Sequence, residues 1–273
     1  MKTRILVAVI AIPILLLIIF FTPVWVLGIV VGGIAACAAW ELLYCAEKEL
    51  KPRIAVYAAI SAFCIPFCCA VFPPARVYEI ILFLLFVVMF CELMLSFRQE
   101  TTLRLETVTV TLLAGGVMPI LLASIVRLGA REYGSVYALL PFVAAFSSDS
   151  GAYFAGTFLG KHKLTPRLSP HKTIEGSIGG FLAAIALMLL YGLVLKGAGF
   201  EVNFLVMGIY GFLGSLACQL GDLSFSAVKR LCGVKDYGNL IPGHGGMLDR
   251  FDSMFWTAAL IEILVTWVPA IVK

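Results

Sequence analysis

The chain has 273 residues, of which 62% are hydrophobic and only 13% are charged, and its formal net charge is +4. Soluble domains usually carry about 25% charged residues, so this composition excludes an ordinary soluble protein and indicates a polytopic membrane protein. The bases are scattered over short loops rather than gathered into one stripe, which argues against a nucleic-acid-binding protein.

Nine apolar segments follow one another along the chain, and each is close to the length of about 20 residues that spans a bilayer as a helix. The first follows a basic start but no small-x-small cleavage site, so we interpret it as an uncleaved span rather than a signal peptide. We therefore predict an all-α, polytopic integral membrane protein with about nine transmembrane helices. The segments are Ile5–Phe21, Val24–Tyr44, Ile54–Phe72, Val77–Phe97, Val108–Val126, Val136–Phe158, Gly176–Leu195, Phe204–Leu223 and Phe251–Val272.

The distribution of lysine and arginine predicts the orientation, because cytoplasmic loops carry an excess of both. With a cytoplasmic N-terminus, fifteen of the 20 lie inside and five lie outside. The two most polar loops, residues 160–175 and 229–250, then share the cytoplasmic face. We divide the chain into spans one to five, residues 1–126, and a C-terminal region of spans six to nine, residues 127–273, which carries these loops.

Eight cysteines lie mostly inside the apolar segments. No CxxC pair accompanies a histidine cluster, so the sequence predicts neither a zinc site nor a disulfide framework. We interpret the cysteines as small packing residues.

The sixth span contains the polar stretch SSDSGAYFAG, in which Asp149 is a carboxylate within an apolar helix. Such a group is energetically unfavourable in a bilayer, so we predict that Asp149 lines a polar cavity. An interhelical hydrogen bond on a Ser/Gly-rich packing face is the alternative. In the next loop we predict a turn at Ser169 and Pro170, a helix N-cap at Thr173, and a phosphate or carboxylate partner in Lys172, for which a solvated loop lysine is the alternative.

Carboxylates cluster around the end of the eighth span and the start of the ninth. Asp222, Ser226 and Lys229 have a spacing that places them on one helical face, and Asp249 and Asp252 share a face in the same way. Three carboxylates from two helix ends are suited to hold one or two hard cations, with phosphate oxygens completing the coordination shell. The alternative interpretation is that the Asp222 carboxylate snorkels to the membrane surface or pairs with Lys229.

The loop between these helices contains the glycine-rich segment PGHGG. Glycines let backbone N–H groups approach an anion, and the following helix start adds a positive dipole end. We therefore predict a phosphate-binding loop at His244, Gly245 and Gly246. The bases around it that are suited to hold phosphate are Lys229, Arg230, Lys235 and Arg250.

Taken together, these motifs resemble those of the phosphatidate cytidylyltransferases, also called CDP-diacylglycerol synthases. The family pattern has a Ser-x-apolar-Lys-Arg stretch, matched here from Ser226, and a Lys-Asp pair, matched from Lys235. It continues with His-Gly-Gly, matched from His244, and Asp-Arg-apolar-Asp, matched from Asp249. The stretches SDSGAYFAG and SPHKTIEG also resemble the family, which usually carries lysine where His171 stands.

The motifs cover the C-terminal half of the chain. The four N-terminal spans match the family only in hydropathy and order, so the resemblance assigns no role to Glu41 or Glu92.

The resemblance implies a multi-span, homodimeric, Mg²⁺-dependent enzyme that makes CDP-diacylglycerol and pyrophosphate from CTP and phosphatidic acid. It implies that residues 127–273 are the catalytic region, with an active site facing the cytoplasm, and a bacterial inner membrane fits the compact chain. By position, it implies cation-binding acids at Asp222, Asp249 and Asp252, and phosphate or substrate contacts at Ser226, Lys229 and Arg230.

Two alternatives stay open from the sequence. The first is cytidylyl transfer to another lipid phosphate, which the motifs separate only weakly. The second is an ion-coupled transporter with Asp149, Asp222 and Glu262 as intramembrane ligands, which predicts inverted repeats that the sequence does not display. The DG-x2-AR motif typical of phosphotransferases that consume CDP-lipids is absent from the sequence.

Overall fold

The computed structural model describes residues 2–47, 50–72, 76–98, 102–238 and 245–272. The first helices are α1 (Lys2–Phe21), α2 (Val24–Ala46), α3 (Pro52–Val71) and α4 (Val77–Ser96). A composite segment follows, made of α5 (Leu105–Leu112), a π-helical turn (Leu113–Val117), α6 (Met118–Leu122) and α7 (Ser124–Gly129). The remaining helices are α8 (Gly134–Leu159), α9 (Ile174–Gly197), α10 (Phe204–Leu231) and α11 (Leu248–Trp267).

Six helical segments in the described ranges are long and apolar enough to cross a membrane. They are Val24–Ala46, Pro52–Val71, Val77–Ser96, Leu105–Gly129, Ile174–Gly197 and Phe204–Leu231. Large apolar side chains such as Ile80 and Phe83 are exposed on their surfaces, as expected where acyl chains replace water. The predicted all-α polytopic membrane protein is confirmed at this level, whereas the total of nine spans stays a prediction.

One predicted helix continuation is confirmed and one span end is wrong. The eighth apolar span ends at Leu223, and α10 continues to Leu231, as the helical spacing of Asp222, Ser226 and Lys229 predicts. The ninth span was expected to continue to Val272, but α11 ends at Trp267, and Ile271–Val272 form a short strand. Hydropathy detects apolar length and not hydrogen bonding, so it missed the end of α11.

Two short antiparallel sheets accompany the helices. Strands β1 (Lys163–Thr165) and β2 (Ser169–Thr173) form a hairpin with the register Lys163↔Thr173 and Thr165↔Ser169. Strands β3 (Glu201–Val202) and β4 (Ile271–Val272) form the second sheet. The predicted turn at Ser169 and Pro170 is therefore wrong. Both residues begin β2, and residues 166–168 make the turn.

The chain divides into two compact units. The first unit comprises Met1–Ser135 and Cys232–Phe251, and the second comprises Val136–Leu231 and Asp252–Lys273. The predicted division after residue 126 followed chain order alone and stays a prediction.

In the first unit, α2 and α3 cross at close range because α2 presents glycine to its neighbour. A Cβ at Gly28 would lie 2.6 Å from the Cβ of Ala70, and one at Gly32 would lie 2.7 Å from the carbonyl oxygen of Phe63. The Ser61 hydroxyl also donates a 2.8 Å hydrogen bond to the Gly115 carbonyl in the π-helical turn. This packing fixes α2, which carries Glu41.

In the second unit, α8, α9, α10 and the part of α11 that begins at Asp252 pack through small residues. A Cβ at Gly151 of α8 would lie 2.7 Å from the Gly179 carbonyl oxygen of α9. One at Gly211 of α10 would lie 2.7 Å from the Cα of Ile185, and one at Gly221 would lie 3.0 Å from the Cα of Ser253. Close backbone approach through small residues is typical of membrane helices, which gain little from the hydrophobic effect when they associate.

Candidate functional site

A cavity of about 570 Å³ lies in the second unit, among α8, the β1–β2 hairpin, α9 and α10. This volume is within the range of small-molecule sites. The cavity is unusual for a membrane bundle because charged and hydroxyl side chains line it. They include Asp149, Tyr153, Thr157, His171, Lys172, Thr173, Ser177 and Asp222, together with the amide side chain of Gln219.

An ion pair spans this cavity. The Lys172 ammonium from β2 lies 2.5 Å from the Asp222 carboxylate of α10, and both side chains are half-buried. The Ser226 hydroxyl, one turn further along α10, donates a 3.3 Å hydrogen bond to the other oxygen of Asp222. The structure thus pairs Asp222 with Lys172, which β2 brings to it, and the alternative pairing of Asp222 with Lys229 stays a prediction.

Asp149 of α8 faces the same cavity. Its carboxylate accepts a 3.3 Å hydrogen bond from the Cys218 thiol of α10 and lies within electrostatic range of Asp222 and Lys172. Asp149 therefore lines the cavity and also accepts an interhelical hydrogen bond, so its two interpretations hold together.

Asp252 is buried at the start of the second unit's part of α11. Its carboxylate accepts the Ser253 N–H at 2.7 Å and lies within electrostatic range of Asp222, Lys229 and Asp149. Carboxylates suit Mg²⁺ by chemistry. In the part of the chain that the structure describes, however, no three His, Cys, Asp or Glu side chains are arranged as a metal-binding group.

Sequence reasoning missed the polar network behind the cavity. The Ser177 hydroxyl donates to the Gln219 side-chain oxygen at 2.5 Å, and the Gln219 amide donates to the Ser215 hydroxyl at 3.2 Å. Ser215 in turn hydrogen bonds to Ser148 of α8 at 2.8 Å. The available signal was the position of Gln219, which is one helical turn before Asp222 on the same face.

The start of α9 is fixed by capping interactions. Thr173 accepts the Gly176 N–H at 3.1 Å, which confirms the predicted N-cap. Glu175 in the first turn accepts the backbone N–H of Lys161 at 3.1 Å and pairs with the His162 ring at 2.6 Å. These contacts hold the hairpin, and with it Lys172, against the helix.

Asp249 lies in the first unit, in the first turn of α11. One of its oxygens accepts the backbone N–H groups of Tyr237 at 2.8 Å and Gly246 at 3.0 Å. Gly245, with φ of +84°, provides the left-handed conformation of this turn, which glycine adopts more readily than residues with a side chain. The Gly246 amide, predicted to contact a substrate phosphate, is thus bound to a protein carboxylate in this structure.

The next two amides also bind a carboxylate. Glu41 of α2 accepts the Met247 N–H at 2.9 Å and the Leu248 N–H at 2.7 Å. The sequence motifs assigned no role to Glu41, since no local pattern connects it to a loop more than two hundred residues away.

The basic side chains differ in their surroundings. The Arg230 side chain donates a 3.4 Å hydrogen bond to the Leu168 carbonyl in the hairpin turn. Lys229 is half-buried, whereas Lys235 and Arg250 are exposed. His244 lies outside the described residues. The substrate contacts predicted for these residues stay predictions.

The apolar helices and the charged cavity define an integral membrane protein with a polar site among its helices. The sequence model of the cytidylyltransferase family matches residues 2–268. The chain therefore belongs to the cytidylyltransferase family.

Three relatives are each named phosphatidate cytidylyltransferase. The Bacillus subtilis (strain 168) protein is 43% identical over 134 residues, 49% of both chains. The Staphylococcus haemolyticus protein is 42% identical over 135 residues, and the Staphylococcus aureus (strain COL) protein is 45% identical over 136, in both cases 50% of this chain and 51% of the relative. The chain thus matches about half the length of these relatives.

Proposed function

We propose that the protein transfers the cytidylyl group of CTP to phosphatidic acid, which yields CDP-diacylglycerol and pyrophosphate. The family and the names of the three relatives support the reaction type and the lipid substrate. The polar cavity with its Lys172–Asp222 pair is the structural observation that carries the proposal, because an ammonium group there is suited to bind phosphate.

In this reaction a phosphatidate oxygen attacks the α-phosphorus of CTP, a new P–O bond forms, and the bond to pyrophosphate breaks in line. Pyrophosphate leaves with the electron pair of that bond. A phosphate monoester has a second pKa of about 6, so it is already nucleophilic at neutral pH and needs no general base. We therefore assign no base role to His244.

The main obstacle is electrostatic, since two polyanions must approach each other. Lys172, Lys229 and Arg230 are the bases that we propose to bind and orient the phosphates, with Ser226 as a hydrogen-bond donor. On substrate binding, the Lys172 ammonium would leave the Asp222 carboxylate and pair with a phosphate oxygen instead. Mg²⁺, with Asp222, Asp249 and Asp252 as its proposed ligands, would supply charge that neutralises the phosphates and the leaving pyrophosphate.

Further features are part of the proposal. They are nine spans, a cytoplasmic N-terminus, both polar loops on the cytoplasmic side of a bacterial inner membrane, and a homodimer. The excess of lysine and arginine in the loops on one side supports the orientation. The acyl chains would stay in the lipid while the phosphate enters the cavity.

Pyrophosphate release by purified protein in detergent tests the function. We expect release that requires CTP, phosphatidic acid and Mg²⁺ together, stops with chelator, and produces CDP-diacylglycerol in equal amount. ATP and GTP serve as nucleotide controls, and an isoprenoid-ether phosphate serves as the lipid control. Faster pyrophosphate release with the ether lipid would identify that lipid phosphate as the substrate in place of phosphatidic acid. If the folded protein released no pyrophosphate, cytidylyl transfer would be refuted.

A further inference from the structure

The carboxylate of Glu41 occupies the start of α11 within the first unit. Glu41 belongs to the apolar helix α2, and only 9% of the residue is exposed. One carboxylate oxygen accepts the Met247 N–H at 2.9 Å, and the other accepts the Leu248 N–H at 2.7 Å. A buried carboxylate with both oxygens hydrogen bonded holds two consecutive backbone groups in a fixed orientation.

Two glycines form the walls around this carboxylate. A Cβ at Gly238 would lie 2.8 Å from one oxygen of Glu41, and a Cβ at Gly246 would lie 2.5 Å from the other. Any larger residue at either position would displace the Glu41 side chain. The glycines on both sides of the loop therefore accommodate a carboxylate of the protein itself.

The amides that Glu41 binds are next to Asp249 in sequence. Asp249 accepts the Gly246 N–H, and Glu41 accepts the two N–H groups that follow. Both carboxylates thus lie at the positive end of the α11 dipole, where negative charge is stabilised. Loss of Glu41 would leave two amides of this turn without their acceptor and would loosen the backbone that carries Asp249.

We propose that Glu41 is a positioning residue that holds residues 246–249 so that Asp249 keeps the orientation required for reaction. This inference rests on the proposed function, in which Asp249 is a ligand of magnesium. Groups that orient a ligand from behind typically affect metal affinity or activity by about 10- to 100-fold.

Hydrogen exchange of the full-length protein in detergent tests the contact directly. Glu41→Gln keeps the shape of the side chain but removes its charge and places an N–H donor against a backbone N–H. We expect the peptide that covers residues 246–249 to exchange at least about 10-fold faster, because a hydrogen bond to a charged group is lost. Unchanged exchange would overturn the inference.

Glu92→Gln is the matched control. The Glu92 side chain is also largely buried in a helix of the first unit, with 12% exposed, and it pairs with Arg53 at 2.6 Å. This variant also removes a buried carboxylate from the first unit, but one whose partner is Arg53 on α3 rather than an amide of residues 246–249. We expect no change in the exchange of those residues, and an equal change would show that Glu41 acts only on general stability.

The rate of turnover distinguishes a residue that positions Asp249 for reaction from one that only caps the start of α11. In Glu41→Gln we expect kcat to fall about 10- to 100-fold and the Mg²⁺ concentration for half-maximal rate to rise, with little change in KM for CTP. Faster exchange together with unchanged kcat and unchanged Mg²⁺ dependence would overturn the positioning role.

Gly238→Ala provides a second route if Glu41→Gln does not fold. The added methyl group would push the Glu41 carboxylate aside while its charge remains. We expect the same direction of change in exchange and in kcat. Gly33→Ala is its control, because a Cβ at Gly33 of α2 would meet no described atom within 4 Å apart from its own helix backbone and chain neighbours.

These results distinguish failure of the inference from failure of the proposed function. Wild-type protein that releases no pyrophosphate would refute the function, and exchange in the variants would still decide whether Glu41 holds the loop. An active wild type with unchanged exchange in Glu41→Gln would refute the inference alone.

Discussion

The single carboxylate of Asp249 combines a structural and a proposed chemical role. One of its oxygens accepts two backbone N–H groups, and we propose that the carboxylate also binds a cation. Asp249→Asn keeps one acceptor oxygen for the amides and removes the charge. We expect a folded protein whose turnover falls by more than about 100-fold, since even groups behind a metal ligand cost 10- to 100-fold.

Steady-state pyrophosphate release, with size-exclusion elution as the check on folding, measures this effect. Glu262→Gln removes a carboxylate from the same helix and is expected to retain activity. Near-normal turnover of Asp249→Asn would exclude Asp249 from a metal site.

Lys172 offers a second test at the scale of one residue. The Lys172 ammonium group pairs with the Asp222 carboxylate at 2.5 Å inside the cavity. Lys172→Met removes the charge at similar length, and we expect kcat/KM for CTP and phosphatidic acid to fall about 10- to 100-fold through loss of a charge-assisted contact. Initial rates at several substrate concentrations provide the measurement.

Lys196→Met removes the same charge from the same unit. Lys196 lies 5.8 Å from the ring centroid of Phe204 and does not line the cavity, so activity should persist. Equal activity in both variants would mean that Lys172 serves only as the partner of Asp222.

At the scale of helices and strands, the α8–α9 crossing determines where Asp149 and Lys172 lie. Gly151 is within a helical turn of Asp149, and its missing side chain permits the close approach to α9. Gly151→Ala would force the helices apart, because a Cβ there would lie 2.7 Å from a backbone oxygen that cannot rotate away. We expect a loss of stability of about 1–3 kcal/mol, as for other overpacked contacts, together with reduced activity.

Thermal unfolding in detergent measures this loss of stability, and we expect a lower Tm for Gly151→Ala than for the wild type. Gly197→Ala is the control in α9, because among the described residues a Cβ at Gly197 would meet nothing within 4 Å beyond its local helix backbone and chain neighbours. If Gly151→Ala unfolded at the wild-type temperature, the close crossing would be refuted.

At the scale of the whole molecule, the orientation in the membrane decides which substrates reach the cavity. The excess of lysine and arginine predicts that the β1–β2 hairpin and the loop after α10 face the cytoplasm. A reporter that is active only in the cytoplasm, fused after His162 or Gly233, should be active, and one fused after Gly199 should be inactive. The reverse pattern would contradict the orientation and would deny cytoplasmic CTP access to the cavity.

The sequence by itself determined the membrane class, most of the spans and the motifs of the polar loops. These are local properties, since apolar length and residue spacing along a helix need no knowledge of distant contacts. The Thr173 cap followed from the same kind of signal, and the structure confirms it. Local patterns failed at the end of α11, where the apolar sequence continues beyond the helix, and in the polar loop that forms a hairpin.

Only the tertiary structure decided which charged groups meet. It brought Lys172 to Asp222, added Gln219 and Ser177 to the cavity, and placed Glu41 on amides up to 207 residues away. A buried charge must find a partner, but the sequence does not state which one. The choice depends on how closely glycine-bearing helices pack, and that distance is set by the folded backbone as a whole.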